Sequence, residues 1–206
     1  MSNALLTLTF DNGPDPAATP RVLDVLAARG VLSTFFVVGS ALREHRALAE
    51  RAHAEGHWIG NHTLTHPRPL GESGAEVREI EAAQAELGAL AHPDRLFRPS
   101  GAGGDLSPGL LSTAAVESLI AGRFTCVLWN AVPGDWRDPS GWVDTALAQI
   151  ASQDWTLLVL HDVADACADR LDEFLSRVDA EIVQAFPPAC VPIKRGAVRR
   201  SLDGLL

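Results

Sequence analysis

From Leu5 to Ile193, short apolar β-favouring runs alternate with longer stretches of helical periodicity, a pattern that few folds accommodate. Leu5, Leu6, Leu8 and Phe10, with Thr7 and Thr9 between them, form the first run, which suits a buried strand better than a helical turn. Further strands are expected at Ser33–Val38, His57–Gly60, Leu96–Arg98, Phe124–Trp129, Trp155–Leu160 and, weakly, Val191–Ile193. Between them the punctuation of helices recurs. Thr19-Pro20 opens a helix with Val22, Leu23, Val25 and Leu26 inward and Gly30 at its end. Ala41–Glu55 reads as one charged amphipathic helix stopped by Gly56, and Ser73 with Glu76 as a capping box ahead of Val77, Ile80, Leu87 and Leu90. Ser107-Pro108 opens a helix that buries Leu110, Leu111, Ala114 and Leu119, and Asp138-Pro139 one that buries Trp142, Val143, Leu147 and Ile150. A last helix carries Leu171, Phe174, Val178 and Ile182. Strands that are apolar on both faces and separated by helices form a parallel sheet covered on both sides. An open doubly wound sheet and a barrel both meet that description, and no GxGxxG or Walker loop follows the first strand.

The chain of 206 residues, 47% of them hydrophobic, fits one domain spanning 1–206. With 17 Lys and Arg against 26 Asp and Glu, its formal charge of -9 argues against nucleic acid as a partner, and Arg199-Arg200 is too small a cluster to reverse that. Met1-Ser2-Asn3 leads straight into the first strand without a basic region, an apolar stretch or a small-residue cleavage site, so a cytoplasmic location is expected of this sequence. No apolar run has the length of a membrane span. Cys126, Cys167 and Cys190 have no ligand spacing and are odd in number, which suggests neither a disulfide framework nor a thiolate metal site. Cys126 reads as a small buried hydrophobe.

In a parallel α/β fold the carboxyl ends of the strands meet on one rim. The residues delivered there are Asp11 and Asn12, then His62 and His66, then Arg98, then Asp135 and Trp136, and finally His161 and Asp162. Gly13-Pro14 turns the chain sharply after the first pair. His62 and His66, four apart in HTLTH, can face one way on a helical turn and reach a single divalent ion. Beside Asp11-Asn12 they make a three-ligand site with positions left for water and substrate. His45, His53, His57 and His92 read as structural or surface residues.

TFDNGP, HTLTH, Arg98-Pro99, Asp135-Trp136 and LVLHD follow the order of motifs in the NodB-homology polysaccharide deacetylases, carbohydrate esterase family four, and the chain resembles that family over essentially its whole length. The resemblance implies a distorted, incomplete (β/α)7 barrel and metal-dependent removal of an N-acetyl group from an amino sugar or its polymer. It implies one divalent ion, zinc first with cobalt or nickel as alternatives, on His62, His66 and Asn12. It makes Asp11 the general base, His161 the general acid that protonates the leaving amine, and Arg98 and Asp135 the groups that orient and tune them. Trp136 and the turn at Ser100 would face a small-molecule or oligosaccharide substrate. Two positions depart from the family pattern: Asn12 stands where the family ligates with Asp, and Arg98-Pro99-Ser100-Gly101-Ala102-Gly103 lacks the aromatic that normally stacks on the sugar. Two other readings follow from those departures: a catalytically impaired carbohydrate- or metal-binding descendant, and a metal-independent cyclic-amide hydrolase like allantoinase. The sequence does not give an oligomeric state.

Overall fold

The computed structural model describes residues 4–101 and 103–206, so Met1–Asn3 and Ala102, which figure in the sequence reading, lie outside the described residues. Among the described residues nine strands form one sheet. They are β1 (Leu5–Asp11), β2 (Thr34–Val37), β3 (Trp58–Asn61), β4 (Leu96–Phe97), β5 (Thr125–Cys126), β6 (Trp155–His161), β7 (Glu181–Ile182), β8 (Ile193–Lys194) and β9 (Ala197–Val198). The helices are α1 (Thr19–Arg29), α2 (Gly39–Glu44), α3 (Arg46–Ala54), α4 (Glu76–Leu87), α5 (Thr113–Ala121), α6 (Trp142–Ala151) and α7 (Leu171–Arg177). The strand order is β6-β1-β2-β3-β4-β5-β8-β9, with β7 paired to the start of β1. All pairings from β1 to β7 are parallel, and only the β8–β9 hairpin runs against its neighbours. One isolated parallel bridge, Ala131 to Leu158, brings the chain after β5 back to β6, with Val159 N donating to Ala131 O at 3.0 Å. The sheet is thus the incomplete barrel expected, drawn together on its open side by a short seam.

β1 explains how the barrel can be both packed and reactive. Successive side chains on a strand point to opposite faces. Leu6, Leu8 and Phe10 enter the cluster beneath α1, α6 and α7, with Val22, Trp142 and Phe174. Thr7, Thr9 and Asp11 take the other face and are equally buried. On β6, Leu158 and Leu160 join that same cluster, while Leu157 and Val159 join a second one with Phe36, Phe97, Val127 and Trp129. The β1–β6 register pairs Asp11 with His161, so the two strands end level and deliver both side chains to one rim.

Several expected boundaries shift, each for a local reason. The helix expected over Ala41–Glu55 is broken at His45 into α2 and α3. Thr19 does not cap α1: its hydroxyl accepts from Asp15 N at 2.8 Å and donates to Asp162 Oδ2 at 2.7 Å. The Ser73–Glu76 capping box does not form, because Ser73 closes a preceding 3-10 turn and its Oγ takes Ala75 N. On α4, Val77 is exposed, and Glu79, Ile80, Ala83 and Leu87 are the buried residues. Ser107-Pro108 forms a turn; α5 begins six residues later, with Ser112 Oγ accepting from Ala115 N, and buries Ala115 rather than Ala114. β4 and β5 are shorter than expected, and Ile182 belongs to β7, where it pairs with Leu6. Cys126, Cys167 and Cys190 are free and buried, and burial pushes the Cys126 thiol up to about 12.

Trp142 is fully buried and lies 5.2 Å from the Phe174 ring, joining α6 to α7 over the sheet. Trp142→Ala should destabilise the protein by about 3–5 kcal/mol in urea unfolding, the usual cost of emptying a site of that size. A loss below about 1 kcal/mol would show that this helical layer does not hold the sheet.

Candidate active site

Arg98 follows β4 and is fully buried, so its charge needs a partner. Its Nη1 donates to Asp11 Oδ1 at 2.7 Å and to Thr9 Oγ1 at 2.8 Å, and its Nε donates to Val127 O at 3.2 Å. The guanidinium also lies 4.0 Å from the Phe36 ring centre. Burial by itself would raise the Asp11 pKa, but Arg98, with His62 and His161, holds it below the ordinary carboxylate range. Asp11 is therefore an anion with one oxygen committed to Arg98. The other, Oδ2, faces His62 Nε2 at 3.6 Å.

His161 ends β6 and is gripped twice by one carboxylate. Asp135, fully buried, accepts from His161 N at 2.8 Å and holds the ring Nδ1 at 2.8 Å. A carboxylate oxygen can only accept, so Nδ1 carries the hydrogen. Burial opposes the charged ring, yet the Asp135 bond and charge outweigh it and raise the His161 pKa. Asp162 plays no part in this grip. It accepts from Gly13 N at 3.1 Å and from Thr19 Oγ1, and burial pushes its carboxyl up to about 7.

His62, His66 and Asn12 come together, but not on a helical turn. Residues 62–66 form an irregular loop in which Thr63 (φ 69°) and His66 (φ 59°) adopt left-handed backbone, a conformation that costs energy for such residues. Asn61 Oδ1 holds Thr63 N at 2.9 Å. Glu79 of α4, which the sequence reading passed over, accepts from Thr65 N and Thr65 Oγ1 at 2.7 and 2.8 Å. The loop places the His62 and His66 ring centres 4.8 Å apart. His62 Nδ1 lies 3.0 Å from Arg98 O, and a carbonyl only accepts, so Nδ1 carries the hydrogen. Burial lowers the His62 pKa. In its neutral form, which burial favours, the ring turns the lone pair of Nε2 toward the Asp11 carboxylate.

A cation resolves that opposition of lone pair and carboxylate, and the rest of the set fits one. Asn12 Oδ1 is buried with no hydrogen-bond partner among the described residues. Burial and the nearby Arg68 charge lower the His66 pKa to about 3, which leaves that ring neutral near pH 7. Its Nδ1 accepts from Arg68 Nε at 3.1 Å, so ligation through that nitrogen requires this bond to open. Among the described residues no three His, Cys, Asp or Glu side chains form a metal-holding group. The Asn12 amide is a neutral oxygen donor beside the two imidazoles.

A cavity of about 250 Å³ opens over these groups, lined by Asp11, Asn12, His62, His66, Trp136 and His161 among others. Trp136 packs edge-on to His161 at 4.5 Å and lines the cavity. Ser100 is not in the wall. It is fully buried, and its hydroxyl donates to Pro67 O at 2.5 Å, tying the turn after Arg98 to the His66 loop. The sequence reading missed Trp129, which lines the cavity with Gly101 and Gly104 and donates through Nε1 to Gly104 O at 2.7 Å. It also missed Arg68. Both signals were present, as an aromatic just after a strand and a cation two residues beyond HTLTH.

The Asp11 carboxylate and the His161 imidazole line one cavity whose remaining donors suit a divalent ion, an arrangement compatible with hydrolysis of an amide or ester bond. The chain belongs to the polysaccharide deacetylase family, whose sequence profile matches residues 1–111. A chitooligosaccharide deacetylase of Sinorhizobium fredii is 38% identical over 160 residues, covering 75% of this chain and 70% of that protein. The peptidoglycan-N-acetylglucosamine deacetylase PgdA of Listeria monocytogenes is 26% identical over 87% of this chain and 37% of its own length. The solved structure of the peptidoglycan deacetylase PdaC from Bacillus subtilis matches with a TM-score of 0.69 at 26% identity, covering 87% of both chains. The protein is thus a polysaccharide deacetylase-like enzyme.

Replacing Asp135 by Asn removes the negative charge that raises the His161 pKa, so deprotonation of the ring moves to lower pH. Asp135→Asn should therefore shift the alkaline limb of the pH–rate profile to lower pH and lower the His161 pKa in an NMR titration. An unmoved imidazole titration would remove Asp135 from this role.

Proposed function

We propose that this enzyme hydrolyses the N-acetyl group of an N-acetylated amino sugar in an oligosaccharide or polysaccharide, using a divalent ion held by His62, His66 and Asn12. The observation that carries the reading is the pairing of Asp11 with Arg98 and of His161 with Asp135 on level strand ends facing one cavity. Amide hydrolysis needs a base for the attacking water, charge stabilisation for the oxygen that becomes anionic, and a proton for a poor leaving amine. The ion would supply charge at the carbonyl oxygen and acidify the attacking water.

Asp11 Oδ2, free of Arg98, takes the water's proton as oxygen adds to the acetyl carbon. Arg98 keeps the carboxylate fixed and ionised until that moment. His161, with Nδ1 tied to Asp135, presents Nε2 to the cavity and delivers its proton to the sugar nitrogen as the C–N bond breaks. Acetate and a free amine result. Trp136 limits the approach of water behind His161 and gives the sugar ring an apolar face. With no aromatic after Arg98, Trp129 is the other large surface in the cavity.

Acetate release should be measured on N-acetylglucosamine oligomers and on peptidoglycan, with added zinc or cobalt and with a chelator. Metal-dependent release supports the reading, and release that survives the chelator overturns the role of the ion. Asp11→Asn should lower kcat by ~10²–10⁴-fold, the usual contribution of a general base. Because Asn12 brings no charge to the ion, Asn12→Asp should tighten zinc binding by about tenfold or more, read by calorimetry independently of turnover. Equal affinity in the two proteins would show that residue 12 does not reach the metal.

A further inference from the structure

We propose that Asp162 is a positioning residue for the candidate metal centre: by gripping the peptide that follows Asn12, it holds the Asn12 amide in the cavity beside His62 and His66. The proposal rests on the deacetylase reading and names what places one of the donors in it. Asp162 follows His161 at the end of β6, where consecutive side chains point to opposite sides. His161 lines the cavity, whereas the Asp162 carboxyl is 1% exposed and packed against the turn after Asn12. Its Oδ1 accepts from Gly13 N at 3.1 Å, and its Oδ2 accepts from Thr19 Oγ1 at 2.7 Å. The Thr19 hydroxyl in turn accepts from Asp15 N at 2.8 Å. One carboxyl thus ties the turn to the start of α1, with a separate oxygen for each donor. Gly13 bears the mark of that contact. A Cβ there would run into the Asp162 carboxyl, while the φ of Gly13 lies outside the left-handed region. The carboxyl, and not the backbone, excludes a side chain at position 13.

Asn12 needs such a grip. Its φ of 78° is a conformation that persists only where the surroundings hold it. On one side Asp11 is fixed by its pairing with Phe36 of β2 and His161 of β6. On the other, the bond from Gly13 N to Asp162 fixes the plane of the peptide leaving Asn12, and Val38 N donates to Gly13 O at 3.0 Å. The backbone held from both sides aims the side chain, whose buried Oδ1 has no hydrogen-bond partner among the described residues. The grip does not need a charge. A carboxylate, a carboxylic acid and an amide all keep an oxygen that can accept from Gly13 N.

The test reads zinc affinity by calorimetry, with melting temperature and acetate release from N-acetylglucosamine oligomers followed in parallel. Asp162→Ala removes the acceptor for Gly13 N and should weaken zinc binding by about 10–100-fold, the usual effect of losing a group that orients a metal donor. Asp162→Asn keeps that acceptor but loses the one for Thr19, whose hydroxyl can turn to Asp162 O at 3.4 Å. It should melt at a lower temperature yet retain most of the zinc affinity that Asp162→Ala loses. Gly13→Ala displaces the carboxyl from the other side, so it should weaken zinc binding as well, and it tests the contact even if Asp162→Ala does not fold. In Gly13→Ala/Asp162→Ala the loss should be smaller than the two single losses added together, since both break one bond. Unchanged zinc affinity in the single variants would overturn the proposal. So would a loss in Asp162→Asn as large as that in Asp162→Ala, which would make the charge and not the hydrogen bond the cause. In either case acetate release by the wild type leaves the deacetylase reading in place. If the affinities follow the expected order but the wild type hydrolyses no N-acetylated sugar, the positioning role stands and the deacetylase reading falls.

Discussion

The buried guanidinium of Arg98 is the interaction on which the rest of the site depends. A charge withdrawn from water is tolerated only when it is paired and hydrogen-bonded, and each bond that satisfies it recruits a different strand. Thr9 and Asp11 answer from β1, Val127 and Leu128 from the chain after β5, and Phe36 supplies a ring from β2. Its own carbonyl then fixes the tautomer of His62. One side chain thus sets the charge of Asp11, the orientation of His62 and the spacing of strands that are otherwise too short to define their own register. Loss of one partner would leave an uncompensated buried charge, so the network holds as a unit.

A second, smaller network meets it at the strand ends. His161 and Asp135 are joined by two hydrogen bonds, one to the ring and one to the backbone, so the imidazole and the strand that carries it are fixed together. The charges are arranged in opposite senses. Arg98 favours the deprotonated form of Asp11, and Asp135 favours the protonated form of His161. Two groups with pKa values pushed apart by their neighbours are what a reaction needing both a base and an acid requires.

Much of this was legible in the sequence because it follows from strand periodicity. Leu5–Phe10 and Trp155–Leu160 are long enough to declare themselves, and a strand's end is where a parallel barrel exposes its chemistry, so Asp11, His161 and the residues between them in the chain could be collected. β4 and β5 have two residues each, which is too few for any period, and they persist only because Arg98 and the surrounding core hold them. The loop at 62–66 was misread for a related reason. A spacing of four suits a helical turn, but Asn61 and Glu79 offer its backbone hydrogen bonds that a turn of helix would not use. The Ser73–Glu76 box failed because a 3-10 turn claimed Ser73 first. Arg68 and Trp129 carry no periodic signal at all, since their place in the cavity is decided by where distant segments cross.

Asn12 sits at φ 78°, in a region that glycine enters freely and that, among other residues, asparagine and aspartate tolerate best. The backbone therefore filters what can stand at this position before any ligand does. Glycine would offer no donor, and histidine, glutamate or cysteine would have to bear the strain of the turn. The exchange of amide for acid is the one chemically useful variation open at little conformational cost, and it changes the formal charge in the cavity beside His62 and His66 by a whole unit while leaving the shape of the turn intact. Evolution has here a dial for the electrostatics of the centre that it can turn without rebuilding the barrel.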